Sequence, residues 1–199
     1  MCGIVGYVGG KAAAPVLLKG LATLEYRGYD SAGIAVWHNN KIEMVKAAGK
    51  LQVLRQLTDE GQSVPGFMGV GHTRWATHGE PSDVNAHPHL SSSGRFAVVH
   101  NGIIENYQQL KNHLQRRGYE FVSQTDTEVI AQLVEYYYNG DMLDTMIKLL
   151  NALEGAYSLG IICLDDPEHF YAVRQDAPLV VGLGQGENAS YPFLMADGI

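Results

Sequence analysis

Apolar positions along the chain follow two periods, and these divide it into strands and helices. Apolar runs bounded by Gly, Pro or Asn predict strands over 3–8, 32–38, 41–47, 67–73, 95–100, 156–164, 169–174 and 178–183. Apolar spacings of three and four predict a helix from residue 13 that ends just before Gly28, and further helices over 49–60, 104–117, 126–138 and 142–153. Strands outnumber helices and short turns join most of them. The pattern therefore predicts one α+β domain over 2–199, with largely antiparallel sheets and helices on the outer sides.

Local signals add detail to this outline. Asn39-Asn40 predicts a hairpin turn, because Asn tolerates left-handed backbone conformations. Thr125 to Glu128 has the spacing of a capping box at the start of a helix. A polar connection of more than 20 residues separates the strands predicted over 67–73 and 95–100. Connections of this length are uncommon in compact domains and usually carry function.

Composition and charge narrow the class of protein. The chain has 199 residues, of which 46% are hydrophobic, and a net charge of −7 without a basic stripe, which argues against nucleic-acid binding. No apolar run reaches the roughly 18 residues that a membrane span needs. The first residues lack a charged leader and a signal-type apolar segment, so we expect a cytoplasmic protein without membrane partners.

The two cysteines, Cys2 and Cys163, differ in context and cannot form a disulfide framework. Cys163 lies in an apolar run and is expected in the core. Removal of Met1 would give Cys2 a free α-amine, with a pKa near 7.7–8.0, beside a thiol with a pKa near 8.5. Such an amine can accept the thiol proton, so one residue would supply both nucleophile and base. The alternative is an inert cysteine at the start of a strand.

Five segments, in order along the chain, resemble the class II glutamine amidotransferases, which have the N-terminal nucleophile hydrolase fold. They are Cys2–Gly6, Arg27–Gly33, His72–Gly79 with Val84–His89, His100–Asn106 and Thr125–Glu128. Tyr29, where relatives that make phosphoribosylamine usually carry Gln, points to the hexosamine-forming branch. The resemblance implies a four-layer αββα sandwich of two largely antiparallel sheets, and hydrolysis of L-glutamine through a γ-glutamyl thioester on Cys2.

The resemblance also assigns roles to individual residues. The side-chain amide of Asn101 and the backbone N–H of Gly102 would hold the oxyanion that forms when Cys2 attacks the carboxamide. Arg74 would bind the α-carboxylate of glutamine, and Asp126 its α-ammonium. The alternative for Asp126 is a helix-start residue favoured by the helix dipole, and both roles can hold if the helix end faces the pocket.

Further residues are assigned supporting roles by the same resemblance. A loop would close and order the glutamine site through Trp75, Thr77, His78 and His87. For Trp75, anchorage by packing is a comparable alternative. Arg27 would stabilise the surroundings of Cys2, with an ion pair at a helix end as the competing interpretation.

Metal and nucleotide sites are weighed against this assignment. The chain has eight histidines but no HExxH spacing and no zinc-type cysteine pair, so we expect no metal and no cofactor. Gly182–Gly186 is one residue short of a dinucleotide-binding turn and lacks a following helix.

Two other functions stay open: a module that senses glutamine without catalysis, and an enzyme with another acceptor, such as amidophosphoribosyltransferase. In the hexosamine branch ammonia passes to fructose 6-phosphate on C-terminal sugar-isomerase domains, which we expect to be absent from this chain. The full-length form is expected to be a homo-oligomer. Residues 187–194 look longer than the family pattern, which affects the last strand and not the site.

Overall fold

The computed structural model describes residues 2–183 and 193–197, with ten strands and five helices in this part of the chain. The strands are β1 Gly3–Val8, β2 Ser31–His38, β3 Lys41–Ala48, β4 Met68–Arg74, β5 His89–Leu90, β6 Phe96–Gly102, β7 Tyr157–Cys163, β8 Asp166–Gln175, β9 Val180–Gly182 and β10 Phe193–Asp197. The helices are α1 Ala13–Leu24, α2 Leu51–Leu57, α3 Tyr107–Gln115, α4 Thr127–Tyr137 and α5 Met142–Ala152. A 3₁₀ turn, Glu25–Arg27, follows α1 and ends at Gly28.

The strands form two sheets. One has six strands in the order β3-β2-β4-β1-β10-β9, and the other has four in the order β5-β6-β7-β8. Neighbouring strands are antiparallel in every described pair. β1 lies inside the larger sheet, where Gly3 pairs with Thr73 of β4 on one side and Asp197 of β10 on the other.

The two sheets and the helices on their outer faces form four layers, and three apolar clusters fill the spaces between these layers. One cluster joins α1 and α2 to the six-stranded sheet, and includes Leu17, Leu21 and Leu54. A second, with Ile4 and Val99, lies between the two sheets. The third joins the four-stranded sheet to α3, α4 and α5. The predicted four-layer αββα sandwich is therefore confirmed. Within the described residues no helix is both long and apolar enough to cross a bilayer.

Several local predictions hold. Asn39 and Asn40 have φ of 46° and 58°, so the hairpin between β2 and β3 turns through two left-handed residues. Cys163 is fully buried, as expected of a core residue. At the start of α4 only half of the capping box forms: Thr125 Oγ1 accepts from the backbone N–H of Glu128 at 3.4 Å. The Glu128 carboxylate instead accepts from the backbone N–H groups of Val122 and Ser123.

Other boundaries differ from the prediction. α3 begins at residue 107 and not at 104; before it, the N–H of Ile104 donates to Asp126 and that of Glu105 donates to the carbonyl of Glu154. The short strand β5 and the strand β10 were not predicted, since each is defined by its pairing partner. The predicted turn over 182–186 and the segment 187–194 lie mostly outside the described residues.

Candidate active site

A cavity of about 430 Å³ opens where β1, β4 and β6 meet the start of α4. Small-molecule sites commonly have volumes of about 300–1,000 Å³. Nine of the ten residues predicted for the site line this cavity: Cys2, Arg74, Trp75, Thr77, His78, His87, Asn101, Gly102 and Asp126. Segments up to about 120 positions apart in sequence therefore converge on one volume.

Cys2 lies directly before β1, with its sulfur against the backbone of Trp75. The N–H of Trp75 reaches Cys2 Sγ at 3.3 Å, and the thiol lies 3.5 Å from the Trp75 carbonyl oxygen. Burial raises the pKa of the Cys2 thiol, while the hydrogen bond from Trp75 and the nearby Arg74 guanidinium oppose this rise. The thiol is therefore mainly protonated at neutral pH, and a nucleophilic role requires a base.

Asn101 and Gly102 end β6 beside Cys2. Asn101 is 3% exposed; its Nδ2 donates to the Cys2 carbonyl at 3.4 Å, and its Oδ1 lies 2.8 Å from His72 Nε2. Gly102 has a φ of 119°, and a Cβ there would lie 2.1 Å from the carbonyl oxygen of Ala156. Only glycine fits this position without displacement of the backbone.

Arg74 and Asp126 bring opposite charges to the cavity wall, and both are nearly buried. The Arg74 guanidinium donates to loop carbonyls of His78, Gly79 (3.1 Å) and Glu80 (3.5 Å). A guanidinium carries five N–H donors, so these bonds leave capacity for a carboxylate. Asp126 Oδ2 accepts from the N–H of Ile104 at 3.0 Å.

Four of the predicted residues lie on the loop after β4, and they differ in exposure and in contacts. Trp75 is 54% exposed at the cavity mouth, and the exposed Thr77 lies with Oγ1 3.3 Å from His78 Nδ1. The His78 ring packs edge-on against Tyr107, with centroids 5.5 Å apart. His87 is buried, with Nδ1 facing His72 and Nε2 facing Thr127. Trp75, Thr77 and His78 thus have the access that a substrate contact needs.

Arg27 stands apart from the other predicted residues. Its guanidinium lies over the ring of Tyr26, 5.8 Å from the centroid, and Nε donates to the Tyr26 hydroxyl at 3.2 Å. Arg27 is not among the described residues that line the cavity. Its supporting role toward Cys2 stays a prediction.

Four residues next to the site were not singled out from sequence. Asp30 accepts from the N–H of Ala76 and so anchors the start of the loop. Lys46 Nζ donates to the carbonyls of Val84, Ala86 and Pro88 at 3.0, 2.8 and 3.3 Å. His72 and Thr127 contact the two ring nitrogens of His87, and Thr127 also lines the cavity. Asp30, His72 and Thr127 lie inside the matched motifs, so the motifs could have indicated them. Nothing in the sequence indicated Lys46.

Four histidines, His72, His87, His89 and His100, form a buried group beside the cavity, and His87 and His100 are part of its lining. Burial lowers the pKa of His72 to about 3, and the pKa values of the other three also lie below the ordinary value, chiefly through burial. All four rings are therefore neutral at pH 7. Among the described residues, no group of three or more His, Cys, Asp or Glu side chains is arranged to hold a metal ion.

Comparison with known proteins identifies relatives for most of the chain. Over 188 residues, 94% of this chain, it is 61% identical to glutamine–fructose-6-phosphate aminotransferase [isomerizing] of Caldanaerobacter subterraneus subsp. tengcongensis. It is 58% identical over 187 residues to the protein of the same name from Clostridium perfringens. The chain spans 31% and 30% of the lengths of these two relatives, so it corresponds to about a third of each.

The fold has solved counterparts. The glutamine phosphoribosylpyrophosphate amidotransferase from B. subtilis, complexed with ADP and GMP, superimposes with a TM-score of 0.81 at 28% identity, covering 98% of this chain and 41% of that one. A family model described as a glutamine amidotransferase domain matches residues 72–189, which is more than half of the chain. Because this match covers more than half of its length, the chain belongs to the glutamine amidotransferase domain family.

Proposed function

We propose that this chain hydrolyses the side-chain amide of L-glutamine to glutamate and ammonia, with Cys2 as the nucleophile. One observation carries the proposal: a thiol, an amide donor and a pair of opposite charges line the same cavity. Glutamine presents a carboxamide at one end and an α-carboxylate with an α-ammonium at the other. The cavity therefore offers a complementary group for each part of this substrate.

The chemistry begins at Cys2 once Met1 has been removed. The free α-amine takes the thiol proton as Sγ forms a bond to the carboxamide carbon, and the carbonyl oxygen becomes an oxyanion. Asn101 Nδ2 and the N–H of Gly102 would stabilise this charge. The proton then passes to the departing amide nitrogen, and ammonia leaves a γ-glutamyl thioester. Water attacks the thioester, which releases glutamate and returns the proton to the thiol.

Substrate recognition follows from charge. Arg74 would take the α-carboxylate with the N–H groups that its loop carbonyls do not use, and Asp126 would take the α-ammonium. Trp75, Thr77 and His78 would cover the bound substrate, since they lie on the loop that borders the cavity mouth. His87 would act by ordering the cavity wall, because both of its ring nitrogens face protein groups.

We further propose that the ammonia serves glucosamine 6-phosphate synthesis from fructose 6-phosphate, on the isomerase portion of a longer, cytoplasmic, homo-oligomeric protein. The support is that relatives at 61% and 58% identity carry the fructose-6-phosphate aminotransferase name, whereas the phosphoribosyl counterpart is 28% identical. Release of glutamate in the presence of fructose 6-phosphate or phosphoribosyl pyrophosphate, measured on the longer protein, would distinguish the two acceptors.

The glutaminase proposal is tested by glutamate release from the 199-residue chain, together with its intact mass. We expect a mass without Met1, activity in the unaltered chain and no activity in Cys2→Ala. Cys163→Ala is the matched control, because this second cysteine is buried in the core and should retain turnover. A chain that binds glutamine but releases no glutamate would instead be a sensing module.

The oxyanion assignment has its own test. Loss of one oxyanion donor typically lowers kcat by about 10²–10³-fold, so Asn101→Ala should fall in this range with a nearly unchanged KM for glutamine. The reason is that the oxyanion exists only in the transition state and intermediate. Turnover of Asn101→Ala close to that of the unaltered chain would remove Asn101 from this role.

A further inference from the structure

Hydrogen bonds connect three of the four buried histidines, His72, His87 and His100, into one chain that ends on the amide of Asn101. Thr127 Oγ1 lies 2.9 Å from His100 Nδ1 and 2.7 Å from His87 Nε2. His87 Nδ1 lies 3.1 Å from His72 Nδ1, and His72 Nε2 lies 2.8 Å from Asn101 Oδ1. Each link joins two buried groups, so bulk water does not compete for them.

One carbonyl group, that of His100, shows which atoms in this chain of hydrogen bonds carry protons. His72 Nε2 is 3.0 Å from the backbone carbonyl oxygen of His100, which can only accept. His72 Nε2 must therefore carry the proton. An N–H at this position requires an oxygen on the facing atom of Asn101, so Oδ1 faces His72 and Nδ2 faces Cys2.

The remaining protons follow in sequence, because a neutral imidazole has one donor and one acceptor. With its proton on Nε2, His72 accepts at Nδ1, so His87 must donate from Nδ1 and accept at Nε2. Thr127 then donates its hydroxyl proton to His87, and its oxygen accepts from His100 Nδ1. The lowered pKa values of the three histidines agree with these neutral forms.

We infer that His72 is a positioning residue: its Nε2–H holds the Asn101 amide with Nδ2 toward Cys2, at the end of a one-directional chain His100–Thr127–His87–His72–Asn101. Without this N–H, the Asn101 amide could rotate and present its oxygen to the oxyanion. The chain also passes through Thr127, the neighbour of Asp126, and so connects the two ends of the proposed glutamine site. This inference rests on the proposed glutaminase function.

A second chain provides an internal control. The Ser123 hydroxyl donates to Glu128 Oε2 at 2.6 Å and therefore accepts from Thr125 Oγ1, which leaves Thr125 to accept from His89 Nε2 at 3.0 Å. His89 thus carries its proton on Nε2, as His72 does, but its chain ends on a carboxylate and not on Asn101. His89 is 3% exposed, comparable with the other three.

The first test reads the tautomers without mutation. Two-bond ¹H–¹⁵N spectra of the histidine-labelled 199-residue chain at pH 7 should show protons on Nε2 of His72 and His89. His87 and His100 should show protons on Nδ1, the form less favoured in water. A proton on Nδ1 of His72, or an imidazolium there, would overturn the inference whether or not the chain is active.

The second test is kinetic and uses glutamate release. His72→Leu should lower kcat by about 10–100-fold with KM for glutamine nearly unchanged, a loss no larger than that of the donor itself. His72→Gln, whose amide can donate near the former Nε2, should recover most of the loss. In an Asn101→Ala background His72→Leu should change kcat less than about two-fold, whereas His89→Leu should have equal effects in both backgrounds.

Additive effects of His72→Leu and Asn101→Ala, or a rise in KM alone, would overturn the positioning role. If His72→Leu does not fold, the tautomer spectra and the kinetics of His72→Gln still test the positioning role. An unaltered chain that releases no glutamate would instead overturn the proposed function, and the spectra would test the hydrogen-bond chain by themselves.

Discussion

At the scale of single residues, Gly102 lines the cavity with a backbone conformation that only glycine adopts without displacement of its neighbours. Its φ of 119° lies in the left-handed region, and the carbonyl of Ala156 occupies the space that a Cβ would need. The N–H of this residue is one of the two proposed oxyanion donors. Its direction therefore depends on the absence of a side chain.

Gly102→Ala should consequently lose both stability and turnover. A strained φ costs on the order of 1–3 kcal/mol, and the contact with Ala156 would also displace the N–H, so kcat should fall by about ten-fold or more. The measurements are urea unfolding and the rate of glutamate release.

Gly118→Ala is the matched control for this change. Gly118 also has a positive φ, 89°, but nothing lies within 4 Å of its missing Cβ. It should lose stability by about 1 kcal/mol and keep kcat. Equal kcat losses in both variants would contradict a specific role for the Gly102 backbone.

Motifs in the sequence indicated nine residues that line the cavity, and did not indicate those that we propose to act through other residues. Cys2, Arg74, Asn101 and Asp126 each supply a group that glutamine chemistry needs, so residue type and motif indicated them. His72 lies in a motif as well, but its partner Asn101 comes from a strand of the other sheet. Only packing of the two sheets reveals this contact.

At the scale of elements, the loop between β4 and β5 is attached to the face of the six-stranded sheet. A Cβ on Gly33 of β2 would lie 2.3 Å from the carbonyl oxygen of His87, so glycine permits the approach. Beside it, Lys46 of β3 donates to three carbonyls of the loop. Burial lowers the pKa of Lys46 to about 8. The loop is therefore held by a strand, and not by its own turns alone.

Lys46→Met should loosen this loop, because methionine keeps the apolar stem and removes the three donors. Two of the three carbonyls belong to the buried residues Ala86 and Pro88, and a buried carbonyl without a partner costs about 1–3 kcal/mol, so urea unfolding should show a loss of this order. KM for glutamine should rise, since the loop carries the residues that cover the cavity.

Lys41→Met tests whether the loss of stability and the rise in KM are specific to position 46. Lys41 lies on the same strand but is exposed, with Glu43 at 3.3 Å, and should change stability by no more than about 0.5 kcal/mol. A Lys46 variant as stable and as active as the Lys41 variant would show that the loop does not depend on this anchor.

Element boundaries were predictable where a local pattern defines them. β1, β2 and β3 begin and end within one residue of the predicted ranges, and the turn at Asn39-Asn40 follows from its residue types. β5 and β10 were missed because His89-Leu90 and Phe193–Asp197 become strands by pairing with β6 and β1. Long-range pairing of this kind leaves little trace in local periodicity.

At the scale of the whole molecule, stability is linked to pH through the four buried histidines. In the unfolded chain each binds a proton near pH 6.5, whereas His72 in the folded chain does so only near pH 3. Between these values the unfolded state holds more protons, so the free energy of unfolding falls as the pH falls. Above pH 6.5 the contribution levels off.

Each such histidine should therefore remove up to about 1.4 kcal/mol of stability per pH unit below 6.5. Unfolding free energies from urea titrations at pH 7.0, 6.0 and 5.5 would measure this slope. In His89→Gln the slope should decrease by about one proton, because one buried imidazole is gone. A slope that is flat over this range, or unchanged in the variant, would contradict the linkage.

The position of β1 has a consequence for when the domain becomes competent. β1 directly follows Cys2 and precedes the other described strands in the chain, yet one of its neighbours is β10, in the register Gly3 to Asp197. Until residue 197 has been synthesised, one edge of β1 has backbone N–H and C=O groups without their β10 partners, and contacts of such sequence separation form slowly. In a nascent chain the site around the Cys2 thiol would therefore stay incomplete, and the proposed release of ammonia would begin only after the second half of the fold has formed.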